Sequence, residues 1–408
     1  MQKIIIKNLG PIQEAKIILK PFIVIIGKSG SGKSVLLRTV SLLKWIYKYE
    51  WMQSFHDPKL LNSISQEKFN EYLKESMLVD TYIDKRTEIT FIDDKTPVIE
   101  IKNKEIIIHQ IKNKNPIGKI VFINDTRNFL PELFTLPQQR KIKLSYHTDD
   151  MIANFIESIN NLKNFKLNTM ENITLMSETE ADFNKYYLKY NDIKIPFEQS
   201  SSGEKSASIL EIICSYFAHD YDIKQKSIKK IILEDIANKL IMNKKNFKEQ
   251  YHSIEKEVLK KIDSLNFLFS QKNKPTLDIF IEEPESNLFP INQMNMAYYL
   301  TSLRNAKNNP NIMFSTHSPY ILTSLNNILC ASMVEQKLQD NKKDDIYKII
   351  DKKNIIDYKD LVAYKLENGK AKSIIDKETK LIDAEYIDTI SDEIMDDFYK
   401  IAELDNDK

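Results

Sequence analysis

Phe22-Ile23-Val24-Ile25-Ile26-Gly27-Lys28-Ser29-Gly30-Ser31-Gly32-Lys33-Ser34 is the stretch on which the fold turns. Its first five residues are apolar and mostly β-branched, the pattern of a strand buried on both faces. The next eight match GxxxxGK[ST], and Val35–Tyr47 continues as a helix. Strand, glycine loop and helix in that order suit a phosphate chain. Glycines let backbone N–H groups turn inward, and the helix start adds its positive end. Gly27, Lys28, Ser29, Gly30, Ser31, Gly32, Lys33 and Ser34 are therefore the candidate nucleotide-binding residues. Lys33 is expected to reach the β- and γ-phosphates, and the Ser34 hydroxyl to join a Mg2+ shell. The blander reading is an ordinary glycine-rich turn. The chain has only seven glycines, however, and three of them fall within six residues here.

Three further segments acquire meaning beside that loop. Asp278-Ile279-Phe280-Ile281-Glu282-Glu283-Pro284-Glu285 ends a second buried-strand candidate in paired carboxylates. Glu282 suits a Mg2+ contact through water, and Glu283 suits a general base that polarises the attacking water. Ser315-Thr316-His317-Ser318-Pro319 follows a short apolar strand, a place from which an imidazole can touch a γ-phosphate. Ser200-Ser201-Ser202-Gly203-Glu204-Lys205 opens a helix, and reads either as an ordinary N-cap or as an anion site.

Composition narrows the class. The chain has 408 residues, 42% of them hydrophobic and 29% charged, enough for two or three compact units with real cores. A net charge of +1 gives no overall pull toward nucleic acid or membrane. Cys214 and Cys330 are the only cysteines and lack metal spacing, so a reducing cytoplasm is the expected setting. No signal peptide and no apolar run of about 20 residues is present, so no membrane association is expected. Basic residues are nearly all lysine. The arginines are Arg38, Arg86, Arg127, Arg140 and Arg304.

Taken in order, these motifs resemble the ABC/SMC-like P-loop ATPases. They are similar in particular to the bacterial branch that includes the overcoming-lysogenization-defect and related phage-defence ATPases, here without a Toprim nuclease domain. Ile6-Lys7-Asn8-Leu9-Gly10-Pro11-Ile12 resembles that branch's first hairpin. Glu282-Glu283-Pro284-Glu285-Ser286-Asn287-Leu288-Phe289-Pro290 resembles its Walker B and D-loop, and Ser315–Pro319 its switch-histidine segment. The resemblance implies an α/β fold, an ABC-type P-loop NTPase head with a mixed central sheet, an antiparallel β subdomain, a helical lobe and helical insertions. It implies ATP and Mg2+ as cofactors, and a homodimer with two ATP sandwiched between heads. Ser201 and Gly203 then match the signature serine and second glycine, reaching the partner copy's γ-phosphate. Glu283, His317 and Lys33 would be catalytic, with Ser34 and Glu282 at the metal. Ser200 and Ser202 stand where leucine and glycine are usual, and Glu282 where aspartate is commoner, which favours slow hydrolysis. The usual Q-loop glutamine has no clear counterpart; Asn124-Asp125-Thr126-Arg127 occupies about that region.

The expected division is an ATPase core at 1–50, a helical insertion at 51–80, the antiparallel β subdomain and core at 81–145, and a helical lobe at 146–199. The signature helix at 200–218 follows, then a helical insertion at 219–275, the rest of the core at 276–335 and a C-terminal extension at 336–408. The insertion's length favours a contact role, and a protein effector such as a separately encoded nuclease is the expected partner. Its lysines leave nucleic acid open as a partner. The alternatives are the nucleotide-binding subunit of a membrane transporter and an SMC-type DNA repair ATPase. Large insertions and the Thr-His-Ser-Pro form argue against the first, and the lack of a long heptad run against the second.

Overall fold

The computed structural model describes residues 1–56, 66–75, 82–109, 118–134, 144–180, 183–227, 275–383 and 395–401. Fifteen strands among them form two sheets. In chain order they are β1 (Lys3–Leu9), β2 (Ile12–Ile18), β3 (Phe22–Gly27), β4 (Ile83–Asp93), β5 (Thr96–Lys102), β6 (Glu105–Ile108) and β7 (Gly118–Ile123). Then come β8 (Asn164–Lys166), β9 (Ile173–Glu180), β10 (Phe183–Tyr190), β11 (Ile193–Pro196), β12 (Thr276–Glu282), β13 (Asn311–Thr316), β14 (Leu361–Glu367) and β15 (Lys370–Ser373). The principal helices are α1 (Lys33–His56), α2 (Gln66–Glu75), α3 (Tyr146–Leu162), α4 (Ser202–Ser215), α5 (Pro290–Ser302) and α6 (Pro319–Glu335).

The large sheet has eleven strands in the order β6-β5-β4-β1-β2-β15-β14-β3-β13-β12-β7, and the small one four in the order β11-β10-β9-β8. In the large sheet β14, β3, β13, β12 and β7 run parallel. The strands β2, β1, β4, β5 and β6 are antiparallel neighbours. The fold class is thus mixed α/β. β3 and β12 are buried along nearly their whole length, as strands covered on both faces must be. Alternate residues of β3 enter opposite cores. Phe22, Val24 and Ile26 pack with α4, α5 and α6, while Ile23 and Ile25 pack with α1 and the antiparallel strands.

The structure places three segments more finely than the sequence reading. The strands expected as an antiparallel β subdomain and core within 81–145 are antiparallel from β4 to β6 and continue the main sheet, because β4 pairs with β1 from Lys3↔Ile92 to Leu9↔Ile83. The segment 146–199, expected as a helical lobe with one strand-like return at 186–195, holds α3 and then four strands. The stretch 173–180 pairs antiparallel with 183–190, from Ile173↔Tyr190 to Glu180↔Phe183, and its buried Ile173 and Leu175 alternate with less buried neighbours. The segment set aside as an extension, 336–408, contributes β14 to the middle of the sheet. There Leu361, Val362, Ala363 and Tyr364 are buried beside β3. Its four-residue apolar run within a charged stretch is too short to announce a central strand. Of the insertion at 219–275, residues 228–274 lie outside the described residues; 223–227 are helical.

Candidate nucleotide-binding site

β3, β13 and β12 are parallel neighbours, so their carboxyl ends share one edge, the edge at which open α/β sheets bind ligands. Gly27 leaves β3 there, Glu282 closes β12, and Thr316 closes β13. The glycine loop curls over this edge into α1. Lys33 is only 5% exposed, and its ammonium donates to the carbonyls of Gly27 at 2.9 Å and Lys28 at 3.1 Å. Burial lowers its pKa, while the carboxylates of Glu283 and Glu285 act in the other direction. Gly32 has φ +103°, and a Cβ there would sit 2.9 Å from Ile12 and 3.0 Å from Pro11, so only glycine fits. Ser31 Oγ is buried with no hydrogen-bond partner among the described residues, a polar group that a phosphate oxygen would satisfy.

Glu282 and Glu283 have different environments. Glu282 is fully buried and accepts a two-pronged bond from Arg38 of α1, Nε to Oε1 at 3.0 Å and Nη2 to Oε2 at 2.9 Å. Burial raises its pKa, and Arg38 and the Ser34 hydroxyl oppose that. A carboxylate offers about four lone-pair sites, so the Arg38 fork leaves acceptor capacity toward Ser34. Glu283 is half-buried, and Oε1 lies 3.2 Å from His317 Nε2. That hydrogen bond, more than any other influence, holds the Glu283 carboxyl below the usual carboxylate range. The backbone of Glu283 has φ +45°, a conformation that costs a non-glycine residue about 1–2 kcal/mol.

The surroundings hold that turn. Glu283 N donates to the Ser315 carbonyl at 3.0 Å, and Ser286 N closes the turn on the Glu283 carbonyl at 3.0 Å. Glu285 is buried and accepts from Thr316 Oγ1 at 2.8 Å and from the His317 N–H at 2.5 Å, so it fixes where the histidine leaves β13. Burial pushes the Glu285 carboxyl up. Arg127, in the 3-10 turn Asp125–Phe129 after β7, is fully buried. Its Nη1 donates to the carbonyls of Glu282 at 2.8 Å and Asn124 at 3.1 Å, and Nη2 to the carbonyl of Glu283 at 2.6 Å. Burial brings its pKa down to about 10, leaving it charged at neutral pH.

The serine segment is built differently. Ser201 caps α4 in a reciprocal box: its Oγ accepts from Glu204 N at 3.3 Å, and Glu204 Oε2 accepts from Ser201 N at 2.9 Å. Ser201 and Ser202 are exposed. Gly203 is buried against the turn that follows the paired glutamates, and a Cβ there would lie 2.5 Å from the Asn287 carbonyl oxygen.

Lys33, Ser34, Glu282, Glu283 and His317, separated by up to 284 residues, are thus gathered at one sheet edge, while Ser201 faces solvent. Arg127, from the segment expected near the Q-loop region, joins the cluster, as do Arg38 and Glu285, for which the sequence suggested no role of their own. The available signal was arginine itself, used at five positions in a chain otherwise basic through lysine. Among the described residues no group of three or more His, Cys, Asp or Glu is arranged to hold a metal alone. A hydroxyl and a carboxylate at one spot suit Mg2+, which completes its octahedron with water and phosphate oxygens. Ser34 and Glu282 fit that requirement. Beside the loop a recess of about 300 Å³ is lined by Pro11, Lys28, Gly30, Leu366, Asn368 and Gly369, among others.

Comparison with curated proteins gives no match. Among solved structures, the chain is similar to the SMC head domain from Thermotoga maritima, at 12% identity and a TM-score of 0.36, over 91% of this chain and 97% of that one. It is similar to the Smc head with an extended coiled coil bound to the C-terminal domain of ScpA, from Pyrococcus furiosus, at 11% identity and a TM-score of 0.41, over 97% and 100%. A dimeric ATP-binding cassette in a post-hydrolysis state, bound to ADP and Pi, aligns at 10% identity and a TM-score of 0.30, over 90% and 96%. The family model described as an AAA ATPase domain matches residues 1–322, and the chain, a P-loop ATPase, belongs to that family.

Proposed function

We propose that the protein binds ATP with Mg2+ and hydrolyses it, slowly, at a site completed by a second copy. The residues Gly27–Ser34 hold the phosphates through backbone N–H groups, the Lys33 ammonium and the dipole of α1. Ser34 and Glu282 hold the metal, which supplies charge neutralisation at the β- and γ-phosphates. Glu283 orients and deprotonates the attacking water, and His317 keeps that carboxylate ionised and aimed. The observation that carries this reading is the 3.2 Å contact between Glu283 and His317 at the sheet edge that also carries Lys33. Its test is turnover against binding. Glu283→Gln is expected to keep ATP affinity and lose about 10²–10⁴-fold in hydrolysis, the range of a general base. Hydrolysis at the wild-type rate would remove Glu283 from that role.

The second copy enters because Ser201 and Gly203 match a signature motif, while Ser201 faces solvent and Gly203 packs against Asn287. Two heads related by a twofold axis would present each Ser201 to the other's nucleotide, so that ATP joins them and hydrolysis releases them. Such a switch would gate a protein effector, as in phage defence or a DNA transaction. The motif order and the long segment between α4 and β12 support that assignment. Affinity capture of the Glu283→Gln variant with MgATP, compared with the nucleotide-free protein, tests it. Recovery of the same proteins in both states would count against ATP gating.

A further inference from the structure

From the geometry we infer that Arg127 is a positioning residue for hydrolysis, one that holds Glu283 in its left-handed conformation and ties it to α4. The inference rests on the reading of Glu283 as general base. Arg127 lies outside the phosphate loop and is 155 residues from Glu282 in sequence, yet its guanidinium donates to the carbonyls of both Glu282 and Glu283. Two adjacent carbonyls gripped by one planar fork fix the peptide between them. That peptide sets where the Glu283 side chain points. The bond to Glu283 is the shorter, at 2.6 Å against 2.8 Å, and falls on the residue with φ +45°.

The same arginine is poorly accounted for by stability alone. Its side chain is fully buried; among the described residues it hydrogen-bonds only to carbonyls, and Nε has no partner. The carboxylates of Glu285, Asp125, Glu283 and Glu282 favour its charge, Glu285 most, yet among the described residues none of them hydrogen-bonds to it through its side chain. A buried charge without a bonded counter-ion is costly, and an apolar side chain would fill that volume at less expense of desolvation. What a hydrocarbon cannot do is hold two carbonyls.

Arg127 also has a second neighbour. The turn Asp125–Phe129, which carries it, packs along α4. α4 is capped by Ser201, and its Gly203 abuts the Asn287 carbonyl of the segment leaving the Glu283 turn. A shift of α4 on meeting a second copy would therefore reach Glu283 by two routes, through the turn that carries Arg127 and through Asn287. Whether or not the two copies meet, the clamp itself acts within one chain.

Arg127→Lys keeps the charge and loses the fork. The expected result is a loss of about 10²-fold in kcat, as for an Å-scale misplacement of a catalytic group. KM for ATP and nucleotide affinity should stay within about threefold. Arg127→Ala supplies a second reading, since added guanidinium ion should restore part of its kcat. A kcat of Arg127→Lys within about twofold of wild type overturns the inference, as does a loss confined to KM. If neither variant folds, the wild-type protein decides. Without nucleotide, the amides of Glu283 and Ser286 should resist hydrogen exchange as well as those of β12, and fast exchange there would show a turn that nothing clamps. Failure of the general-base reading is recognised separately, by wild-type turnover in Glu283→Gln.

Discussion

The chain has two glycine-bearing segments at helix starts, and they are built on opposite principles. At Gly27–Ser34 the loop is enclosed by its own chain: Gly32 is pressed against Pro11 and Ile12, Lys33 is buried, and Ser31 Oγ is buried with its hydrogen-bonding capacity unused. At Ser200–Glu204 the local hydrogen bonds are closed by the capping box, the hydroxyl-bearing residues 201 and 202 face solvent, and the glycine serves packing against Asn287. One segment is a socket, with charge and polar capacity turned inward. The other is a finished helix end whose outer face is available to something brought from outside. The difference is what the proposed half-sites on separate copies would require.

The largest effect that would break this contrast is at Lys33. Lys33→Ala should weaken ATP binding by about 10²-fold, because charge-assisted bonds to the β- and γ-phosphates disappear. Fluorescent-nucleotide titration checks it, and unchanged affinity would show that the socket is misidentified. Next is Ser201→Arg, expected to reduce turnover tenfold or more, roughly the loss of one transition-state contact. The same titration on the monomer should be nearly unmoved, since the exposed serine plays no part in its own chain's socket. If binding falls with turnover, the two segments are not separable.

Gly203→Ala sharpens the packing half of the comparison. With the Asn287 oxygen 2.5 Å from the added Cβ, α4 or the turn must shift, at a cost of about 1–3 kcal/mol seen as a lower Tm. The smallest effect concerns acid. Glu283 has its carboxyl pKa depressed in the folded state, chiefly by the hydrogen bond from His317. Its contribution to stability is thus present above the unfolded value of about 4.3 and is lost as pH falls through the lower folded value. The Tm difference between wild type and Glu283→Gln should therefore shrink on acidification below about pH 4 and be constant near neutrality. A difference that grows with acid would contradict the assigned direction.

Much of this was legible in the sequence because it is local. A β-branched run followed by glycines, and a second run ending in Glu282-Glu283, announce their geometry within a dozen residues. The order of the chain supplies the rest. What escaped was non-local. β14 looks like a fragment of a charged tail, and only its pairing with β3 makes Leu361–Tyr364 a core element. The turn around Glu283 is held by Arg127 from another strand end, and spacing alone says nothing of that distance. The arginines, however, did carry a signal in their rarity. All four that are described make several hydrogen bonds at once: Arg38 on Glu282, Arg86 on Asp84, Arg127 on two adjacent carbonyls and a third, and Arg304 through Nη1 on the carbonyls of Asn309 and Pro310 and through Nη2 on Asp360. In a chain so inclined to lysine, arginine is placed where planar, multidentate geometry is needed.

The claim that the socket and the finished helix end meet across two copies is tested most directly by the size of Glu283→Gln in solution. With saturating ATP and Mg2+, light scattering should give a dimer, returning to monomer when the nucleotide is removed. A variant that binds ATP at full occupancy and stays monomeric would contradict it.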